Sequence, residues 1–470
     1  MRVAQECIKL IQLVESSVHW WCYQKIPTAG GRSDAIDDGR GASGMTQCSA
    51  APPPSREASF PRGDSRAAAI PLQQNGQSMK DVTQDTILVH AGRDPRNNHG
   101  IVNPPVYHCS TVLFPTLDAL EESDRNTLEG VHYGRMGTPT TFAFEEAAAA
   151  LEGGFKAVNT GSGLAAIAVA LSAFTKAGDH VLITDSAYGP TRRFAKETLA
   201  PYGVEVEFYD PCIGAGIDAL LRPNTSVVFL ESPGSLTFEV QDVPAIAAAA
   251  KKAGATVMID NTWATPLFFR PFDHGVDVSI HAATKYMVGH ADAMLGVVTC
   301  RDEATWTAVK KAATRFGICG GPDDLYLGLR GLRTLSVRMR QHQESALALA
   351  DWLAARPEVT RVLHPARSDF PGHALWKRDF TGSSGLFSIV INQVPRKALA
   401  AMLDGMELFG MGYSWGGFES LILPTRPAAV RSATRWTDPG QVLRLHAGLE
   451  SADDLIRDLD AGFRRMAAAL

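Results

Sequence analysis

Two polar side chains follow short apolar runs in the centre of the chain, where they could do acid–base or covalent chemistry. Lys285 follows the run VDVSI, and Asp260 ends the run TVMI. A buried ammonium is costly unless it is paired or deprotonated, and lysines in such environments form Schiff bases. Asp260 could bind a metal, act as a base or pair with a heterocyclic cation. The simpler alternatives are a surface lysine in a loop and a polar loop residue or helix cap.

A glycine-rich segment, Gly161-Ser162-Gly163-Leu164, precedes a predicted helix and could bind a phosphate. Glycine allows close approach of the backbone, and the free N–H groups and dipole of a helix N-terminus attract anions. The segment also has the G-x-G-x-x-A pattern of a dinucleotide site. However, no run of strand character ends directly before it, and Asp185 is the nearest acidic candidate for the ribose of a nicotinamide cofactor. A simple turn before a helix is a third interpretation.

Two arginines lie in patterns that suit anion binding. Tyr133 and Arg135 are two residues apart, so in an extended segment they would point to one side and could jointly bind a phosphate. Arg444 alternates with apolar neighbours in the strand-like run LRLH, where it could bind a substrate carboxylate through two hydrogen bonds. A structural ion pair is an equally good interpretation of Arg444.

Composition restricts the class of protein that carries these residues. The chain has 470 residues, a net charge of −5 and 45% hydrophobic residues, which argues against nucleic-acid binding and against disorder throughout. The longest apolar runs are far shorter than the ~20 residues that span a bilayer, so no membrane association is expected. The seven cysteines include no C-x-x-C pair, which predicts neither a disulfide framework nor a zinc site and favours a reducing, cytoplasmic compartment.

The elements that must position the candidate residues alternate between strands and helices from about residue 140 to 300. We predict strands at 180–184, 226–230, 256–259 and 276–280, and helices at 144–151, 164–175 and 243–253. This alternation indicates βαβ units and an α/β fold with a mainly parallel sheet. Ligands bind beyond the carboxyl ends of such strands, where Tyr188, Asp260 and Lys285 are expected. A long helix at 332–355, short strands and a closing helix at 453–469 predict a smaller C-terminal α/β domain.

The first 78 residues have a different composition from the rest of the chain. Residues 29–78 are rich in Gly, Ala, Ser, Pro and Arg, which cannot bury enough apolar surface to offset chain entropy. We therefore predict a disordered extension over residues 1–78. One hypothesis is that Met79 is the natural start of the protein. The alternative is an organelle transit peptide, which the acidic residues Asp34, Asp37 and Asp38 disfavour.

Taken together, these residues resemble the Cys/Met metabolism family of pyridoxal phosphate (PLP)-dependent enzymes, from about residue 82 to the C-terminus. The resemblance is carried by long motifs: YGRMGTPT from Tyr133, FLESPGS from Phe229, MIDNTWATP from Met258, AATKYMVGHADAM from Ala282, GLRTL from Gly331, KRDFTGSSGLFS from Lys377, YSWGGFESL from Tyr413 and RLHAGLE from Arg444. It implies the type I fold of PLP-dependent transferases, which is aspartate aminotransferase-like. An arm at 79–137 would reach a neighbouring subunit, ahead of a PLP-binding domain at 138–331 and a C-terminal domain at 332–470.

The resemblance also implies a role for each residue around the cofactor. Lys285 would hold pyridoxal 5′-phosphate as a Schiff base and move substrate protons, Asp260 would pair with the pyridinium nitrogen, and Tyr188 would stack on the ring. The predicted catalytic residues are Lys285, Tyr188 and Tyr133. The phosphate would be bound by these residues: Gly163, Leu164 and Thr284 of one chain, and Tyr133 and Arg135 of its neighbour. Many relatives have a phosphate-binding serine where this chain has Ala282.

The same resemblance predicts how a small amino-acid substrate is bound. Arg444 would bind the substrate α-carboxylate with help from Ser414, and Trp415 would line the pocket. Because two chains would form each site, the protein is expected to be a homo-oligomer, namely a homotetramer built from dimers. No nucleic-acid partner is expected.

Three motif differences predict which branch of the family the chain resembles. The motifs YGRMGTPT, SWGG and RLH stand where γ-synthases and γ-lyases usually have Y-S-R-x-x-N-P-T, S-L-G-G and R-L-S. They favour β-elimination of L-cystathionine to homocysteine, pyruvate and ammonia, as in transsulfuration and methionine biosynthesis. The nearest alternatives are a γ-lyase or a cysteine desulfhydrase. More distant ones are a Rossmann-type oxidoreductase, which leaves Lys285 and Arg444 unexplained, and a catalytically inactive regulatory relative.

Overall fold

The computed structural model describes residues 73–74, 77–78, 82–125 and 127–470. Four of the described residues precede residue 82, and they form two short antiparallel strands, β1 (Gln73–Gln74) and β2 (Gln77–Ser78). The rest of the predicted extension at 1–78 lies outside the described residues, as does Met79 with the hypothesis about the start of the protein. Those predictions therefore remain predictions.

The helices of the described residues are distributed along the whole chain from residue 84. The α-helices are α1 (Gln84–His90), α2 (Leu117–Arg125), α3 (Pro139–Glu152), α4 (Gly163–Ala173), α5 (Gly189–Phe194), α6 (Val243–Lys252), α7 (Thr265–Phe268), α8 (Glu303–Phe316), α9 (Pro322–Leu332), α10 (Leu335–Ala354), α11 (His373–Asp379), α12 (Arg396–Leu403) and α13 (Ala452–Ala468). Short 3₁₀ helices lie at Gly134–Met136, Ala200–Tyr202, Gly214–Leu220, Pro271–His274 and Pro427–Ala429, and a π-helical turn lies at Ala195–Leu199.

A seven-stranded sheet lies in the middle of the chain. Its strands are β3 (Lys156–Thr160), β4 (His180–Thr184), β5 (Glu205–Tyr209), β6 (Thr225–Glu231), β7 (Thr256–Asp260), β8 (Val278–His281) and β9 (Gly296–Cys300). They are arranged in the order β3-β9-β8-β7-β6-β4-β5. The pairs from β5 across to β8 are parallel, and β9 is antiparallel to both of its neighbours. The predicted α/β fold with a mainly parallel sheet is confirmed.

Both faces of this sheet are buried, which explains the continuous apolar runs in its central strands. Leu182 of β4 packs into one core cluster, whereas its neighbours Val181 and Ile183 pack into another. In the same way, Val257 and Met258 of β7 lie on opposite faces. Because successive side chains of a strand alternate between faces, a strand covered on both sides is apolar along most of its length.

A second, smaller sheet follows in the C-terminal part of the chain. Its strands are β10 (Val359–Leu363), β11 (Leu386–Ile391), β12 (Leu421–Thr425) and β13 (Gln441–His446), all antiparallel, in the order β10-β11-β13-β12. Leu349 of α10 and Phe463 of α13 pack in one core cluster with Phe387 of β11 and Leu445 of β13. Helices α10 and α13 therefore cover one face of this sheet.

One expectation about the strands is wrong, and one predicted helix begins later than expected. Strand β3 ends at Thr160, directly before Gly161, so the expectation that no strand precedes the glycine-rich segment is wrong. The predicted helix at 332–355 corresponds to α10, which begins at Leu335; α9 ends at Leu332, and Arg333 and Thr334 separate the two helices. The Arg333 guanidinium donates hydrogen bonds to the carbonyl oxygens of Leu88 (2.6 Å) and Ala91 (2.8 Å), which ties this break to the end of α1.

In the described part of the chain, no helix combines the length and the apolar character needed to cross a bilayer. The domain boundaries predicted at 137/138 and 331/332 remain predictions.

Candidate active site

Lys285 lies in the turn that follows β8, beyond the carboxyl ends of the parallel strands. Its half-buried side chain extends toward the C-terminal part of the chain, and Nζ donates a hydrogen bond to Ser414 Oγ at 2.5 Å. Nζ also lies 5.3 Å from the ring centroid of Trp415. Burial and the positive charge of Arg444 lower the pKa of Lys285 to about 8, although Asp260 opposes that shift. An amine with this pKa is about one-tenth deprotonated at pH 7, far more than an ordinary lysine, which favours a role as a base.

Asp260 is the last residue of β7, a central strand, and it is buried at the carboxyl end of the strand. Its Oδ1 accepts hydrogen bonds from the backbone N–H of Thr262 at 3.0 Å and from Thr262 Oγ1 at 2.5 Å. Burial raises the pKa of Asp260, and the hydrogen bonds from Thr262 and the charges of His281 and Lys285 act in the opposite direction. A buried carboxylate in this position would gain from pairing with a cationic ring nitrogen.

Tyr188 precedes α5 and is positioned through its backbone. The Tyr188 N–H donates a 2.7 Å hydrogen bond to Glu231 Oε2, and Glu231 pairs in register with Asp260 on the neighbouring strand. The Tyr188 side chain is 45% exposed, so its ring is available to a ligand. Burial of its hydroxyl and the charge of Asp260 raise the Tyr188 pKa, which keeps the phenol protonated.

Glu231 is a residue near the site that the sequence analysis did not single out. Burial and the nearby charge of Asp260 raise its pKa well above the ordinary value for a glutamate. Two neighbouring buried carboxyl groups cannot both ionise at low cost. A protonated Glu231 would leave Asp260 as the charged member of the pair. Its place in the motif FLESPGS, directly after an apolar run, was the available signal.

The N-terminus of α4 faces the turn that carries Lys285. A Cβ atom at Gly163 would lie 2.4 Å from Cβ of Ala282, so only glycine allows the helix to approach this closely. Ser162 caps the helix by accepting a hydrogen bond from the Ala165 N–H at 3.1 Å. The N–H groups of Gly163 and Leu164 belong to the first turn, where no helical acceptor exists. They are placed where an anion can bind them.

Thr284 is adjacent to Lys285, but its hydroxyl is already paired within the chain. Oγ1 donates to the Leu295 carbonyl oxygen at 3.0 Å and accepts from the Leu295 N–H at 2.8 Å. The hydroxyl proton of Thr284 is therefore already engaged in the hydrogen bond to the Leu295 carbonyl oxygen. Its predicted role as a phosphate donor remains a prediction and requires the hydroxyl to rotate away from Leu295.

Arg444 and Ser414 lie together on the C-terminal side of Lys285. Arg444 extends from β13, and its Nη2 donates to the Ser414 carbonyl oxygen at 3.0 Å. Burial lowers the Arg444 pKa from the ordinary value of an arginine, and an arginine side chain is cationic near neutral pH. Ser414 has φ 81°, a conformation that is strained for a residue other than glycine. Strain of this kind is concentrated at functional sites.

Tyr133 and Arg135 lie apart from this group within the chain. Arg135 Nη1 donates to the carbonyl oxygen of Thr314, near the end of α8, at 2.8 Å. Tyr133 forms an isolated antiparallel bridge with Thr111 and is 47% exposed. Among the described residues, neither side chain has a hydrogen bond, ion pair or ring contact with Lys285. The structure thus brings the other predicted residues together but not these two.

Asp185, the candidate for a dinucleotide ribose, has a different role. Its carboxylate accepts hydrogen bonds from the backbone N–H groups of 432–434 and forms an ion pair with Arg192 at 2.7 Å. These donors lower the Asp185 pKa to about 2 even though the group is buried. The carboxylate holds a loop of the C-terminal part of the chain and is not free to bind a ribose.

The grouped residues fit the three polar parts of pyridoxal 5′-phosphate. Lys285 offers an amine for its aldehyde, Asp260 offers a buried carboxylate for its ring nitrogen, and the first turn of α4 offers N–H groups for its phosphate. The exposed ring of Tyr188 lies on the same side, beside Asp260 and Glu231.

Comparisons with known proteins agree with this fit. Residues 85–464 match the family described as Cys/Met metabolism PLP-dependent enzyme. The chain is 48% identical to a cystathionine beta-lyase of Escherichia coli and 47% identical to one of Salmonella typhimurium, in each case over 83% of this chain and 100% of the relative. A crystal structure of cystathionine gamma synthase from Xanthomonas oryzae, in complex with aminoacrylate and cysteine, superposes with a TM-score of 0.76 at 34% identity, covering 83% of this chain and all of that one.

These matches cover nearly all of the described residues and include both sheets. They confirm the predicted type I fold and exclude the Rossmann-type oxidoreductase that the glycine-rich segment left open. The chain therefore belongs to the Cys/Met metabolism family of PLP-dependent enzymes.

Proposed function

We propose that this chain is a carbon–sulfur lyase that carries out β-elimination on L-cystathionine and yields homocysteine, pyruvate and ammonia. The observation that carries the proposal is the hydrogen bond between Lys285 Nζ and Ser414 Oγ beside Arg444, in a chain whose two relatives above bear the name cystathionine beta-lyase. Identification of the keto acid released from L-cystathionine tests it.

Pyridoxal 5′-phosphate, when bound, supplies an electron sink for negative charge at the α-carbon of an amino acid. Asp260 would hold its ring nitrogen as a buried counter-ion. Tyr188, fixed through Glu231, would lie against the ring. Gly163 and Leu164 would bind the phosphate through backbone N–H groups. These residues keep the cofactor in one orientation relative to Lys285.

Lys285 is the proposed base that removes the proton from the substrate α-carbon. Its lowered pKa makes the neutral amine available, and the hydrogen bond to Ser414 Oγ fixes the direction of Nζ. After it takes the proton, the ammonium can return one to the leaving sulfur at the β-carbon. Lys285 therefore gives back to the sulfur as many protons as it takes from the α-carbon.

Tyr188 is a second proposed proton donor to the sulfur. Its raised pKa keeps the phenol protonated at the neutral to mildly basic pH where the Lys285 amine begins to lose its proton. Tyr133 of a neighbouring chain is also proposed as a catalytic residue, and its role depends on a second subunit.

Arg444 is proposed to bind the substrate α-carboxylate. The guanidinium has five N–H donors, and the bond to the Ser414 carbonyl uses only one nitrogen of the fork. The contact with Ser414 fixes the plane of the guanidinium, so the remaining donors can meet a carboxylate in a bidentate pair. Trp415, half-buried beside Lys285, is proposed to form one wall of the pocket.

We propose further that two copies of the chain complete each site. Tyr133 and Arg135 lie in a segment with exposed apolar side chains, including Leu113 (88% exposed) and Leu117 (68% exposed), and α2 has no buried residue. Apolar surface of this kind favours covering by a partner. A dimer, with a tetramer built from two dimers, would bring the phosphate-binding pair to the second chain. Size-exclusion chromatography with light scattering tests this, and a monomer at micromolar concentration contradicts it.

The cytoplasm is the proposed location. The four cysteines in the described residues, Cys109, Cys212, Cys300 and Cys319, are all free thiols. Free thiols are typical of proteins that work in a reducing compartment.

A further inference from the structure

One face of β13 holds the loop that contacts Lys285. Arg444 and His446 are two residues apart on this strand, so their side chains point the same way. Arg444 donates to the carbonyl oxygen of Ser414, at the start of the loop. His446 contacts the loop twice, at the Gly416 N–H (3.1 Å) and at the carbonyl oxygen of Glu419 (3.0 Å).

The two backbone partners of His446 fix its tautomer. Nε2 accepts from the Gly416 N–H and therefore carries no proton, whereas Nδ1 donates its proton to the Glu419 carbonyl oxygen. The ring is buried, with 1% of its surface exposed, so water cannot replace either bond. Both ring nitrogens are thus used to hold the loop.

The middle of this loop lies against the backbone of Lys285 with no free space. Gly416 has φ 83°, and a Cβ atom there would lie 2.9 Å from the Tyr286 nitrogen and 3.0 Å from the Lys285 carbonyl carbon. Ser414, two residues earlier, accepts the hydrogen bond from Lys285 Nζ. A shift of the Gly416 backbone therefore moves Ser414 relative to the amine.

The groups that face His446 require a neutral ring. The His342 and Tyr286 rings lie 5.2 Å and 5.8 Å from it, centroid to centroid, and Arg444 and Lys285 add positive charge. A proton on Nε2 would point at the Gly416 N–H, donor against donor. Burial, together with His342, Arg444 and Lys285, lowers the pKa of His446 well below the ordinary value.

We propose that His446 is a positioning residue, whose neutral imidazole holds the Gly416 backbone so that Ser414 Oγ stays aligned with Lys285 Nζ. This inference deepens the proposed function and rests on it for the part played by Lys285. It explains why the chain has Arg444-Leu445-His446 at this place. A shorter serine at 446 would not reach both backbone partners.

The matched variants are His446→Gln and His446→Asn. Gln can place an acceptor near the position of Nε2, toward Gly416, whereas Asn reaches only the position of Nδ1, toward Glu419. We expect His446→Asn to lower kcat for L-cystathionine at least tenfold with less than a threefold change in KM, and His446→Gln to recover most of kcat.

Hydrogen exchange of the segment 412–420, measured on the full chain by mass spectrometry, gives a readout independent of turnover. We expect faster exchange of this segment in His446→Asn than in His446→Gln or wild type. His364→Asn, which alters a buried histidine packed on Phe387 elsewhere in the chain, is the control and should leave the segment unchanged.

Equal exchange of the segment in wild type and His446→Asn overturns the proposal, as does equal loss of kcat in the Asn and Gln variants. If wild type fails to act on L-cystathionine, the proposed substrate is wrong, but the exchange data still decide whether His446 holds the loop.

Discussion

Lys285 and Ser414 are 129 positions apart in the chain, yet the Lys285 ammonium donates its hydrogen bond to the Ser414 hydroxyl at 2.5 Å. The lysine comes from the turn after β8 of the large, mainly parallel sheet, and the serine comes from a strained loop before β12, an edge strand of the small sheet. The candidate site is therefore formed where the two sheets' loops meet, and its geometry depends on the loop that carries Ser414.

Ser414→Ala should slow turnover without preventing cofactor binding. The substitution removes the acceptor that orients Nζ, and a hydrogen bond to a charged group contributes about 1.5–3 kcal/mol, which corresponds to roughly 10- to 100-fold in kcat. Ser414→Gly is the matched control, because it also lacks the hydroxyl but relieves the positive φ. Steady-state kinetics should show a similar loss in both variants. Wild-type kcat in either one contradicts the orienting role.

Lys285→Ala should abolish both turnover and the visible absorbance that the bound cofactor has when it is linked to the lysine. The loss of the base alone is expected to cost about 100- to 10,000-fold in rate. The measurement is an absorbance spectrum of the purified variant with added pyridoxal 5′-phosphate, together with its thermal unfolding midpoint as a check of folding. A folded variant with the wild-type visible band would show that another residue holds the cofactor.

Arg444→Lys should raise KM for L-cystathionine more than it lowers kcat. Lysine keeps the positive charge but cannot form the bidentate pair with a carboxylate, so kcat/KM should fall about 10- to 100-fold. Arg361→Lys, an exposed ion pair with Asp438 on the small sheet, is a control that should change neither constant. Unchanged KM in Arg444→Lys would remove Arg444 from carboxylate binding.

The lowered pKa of the buried His342 predicts that the free energy of unfolding decreases as the pH falls below neutral. Burial lowers its pKa from 6.5 to about 4, so the unfolded chain binds the proton more readily than the folded chain in that interval. The contribution is complete above pH 6.5 and falls as the pH drops toward 4, by about 3 kcal/mol in total.

His342→Asn tests this prediction, because the amide can still donate to the Ala447 carbonyl, as His342 Nδ1 does at 2.8 Å, but cannot titrate. Urea unfolding between pH 4 and 7 should show a shallower decline in the variant. Parallel curves for variant and wild type would mean that His342 does not contribute.

The central strands could be predicted from the sequence because burial on both faces leaves an unmistakable pattern. The run HVLIT predicts β4 with the bounds that the structure has. Strand β3 could not be predicted, because two of its buried residues are polar and paired: Asn159 donates to Glu145 at 2.6 Å, and the Thr160 hydroxyl donates to the Ser162 carbonyl at 2.8 Å. These polar residues interrupt the apolar pattern of the strand, and the Asn159–Glu145 pair depends on a contact with α3 that the local sequence does not reveal.

The residues that could be predicted at the site are those whose chemistry and position after a strand coincide, such as Lys285 and Asp260. Glu231 and His446, whose side chains accept a hydrogen bond from the backbone N–H of another residue, were not predicted as site residues. The Glu231 carboxyl group accepts a hydrogen bond from the Tyr188 N–H, and the His446 ring accepts one from the Gly416 N–H.

The keto acid released from L-cystathionine tests the central claim most directly. The wild-type protein, supplied with pyridoxal 5′-phosphate, should release pyruvate together with homocysteine, identified by mass spectrometry of the products, and Lys285→Ala should release neither. Release of 2-oxobutyrate with cysteine would contradict β-elimination and assign the chain to γ-elimination within the same family.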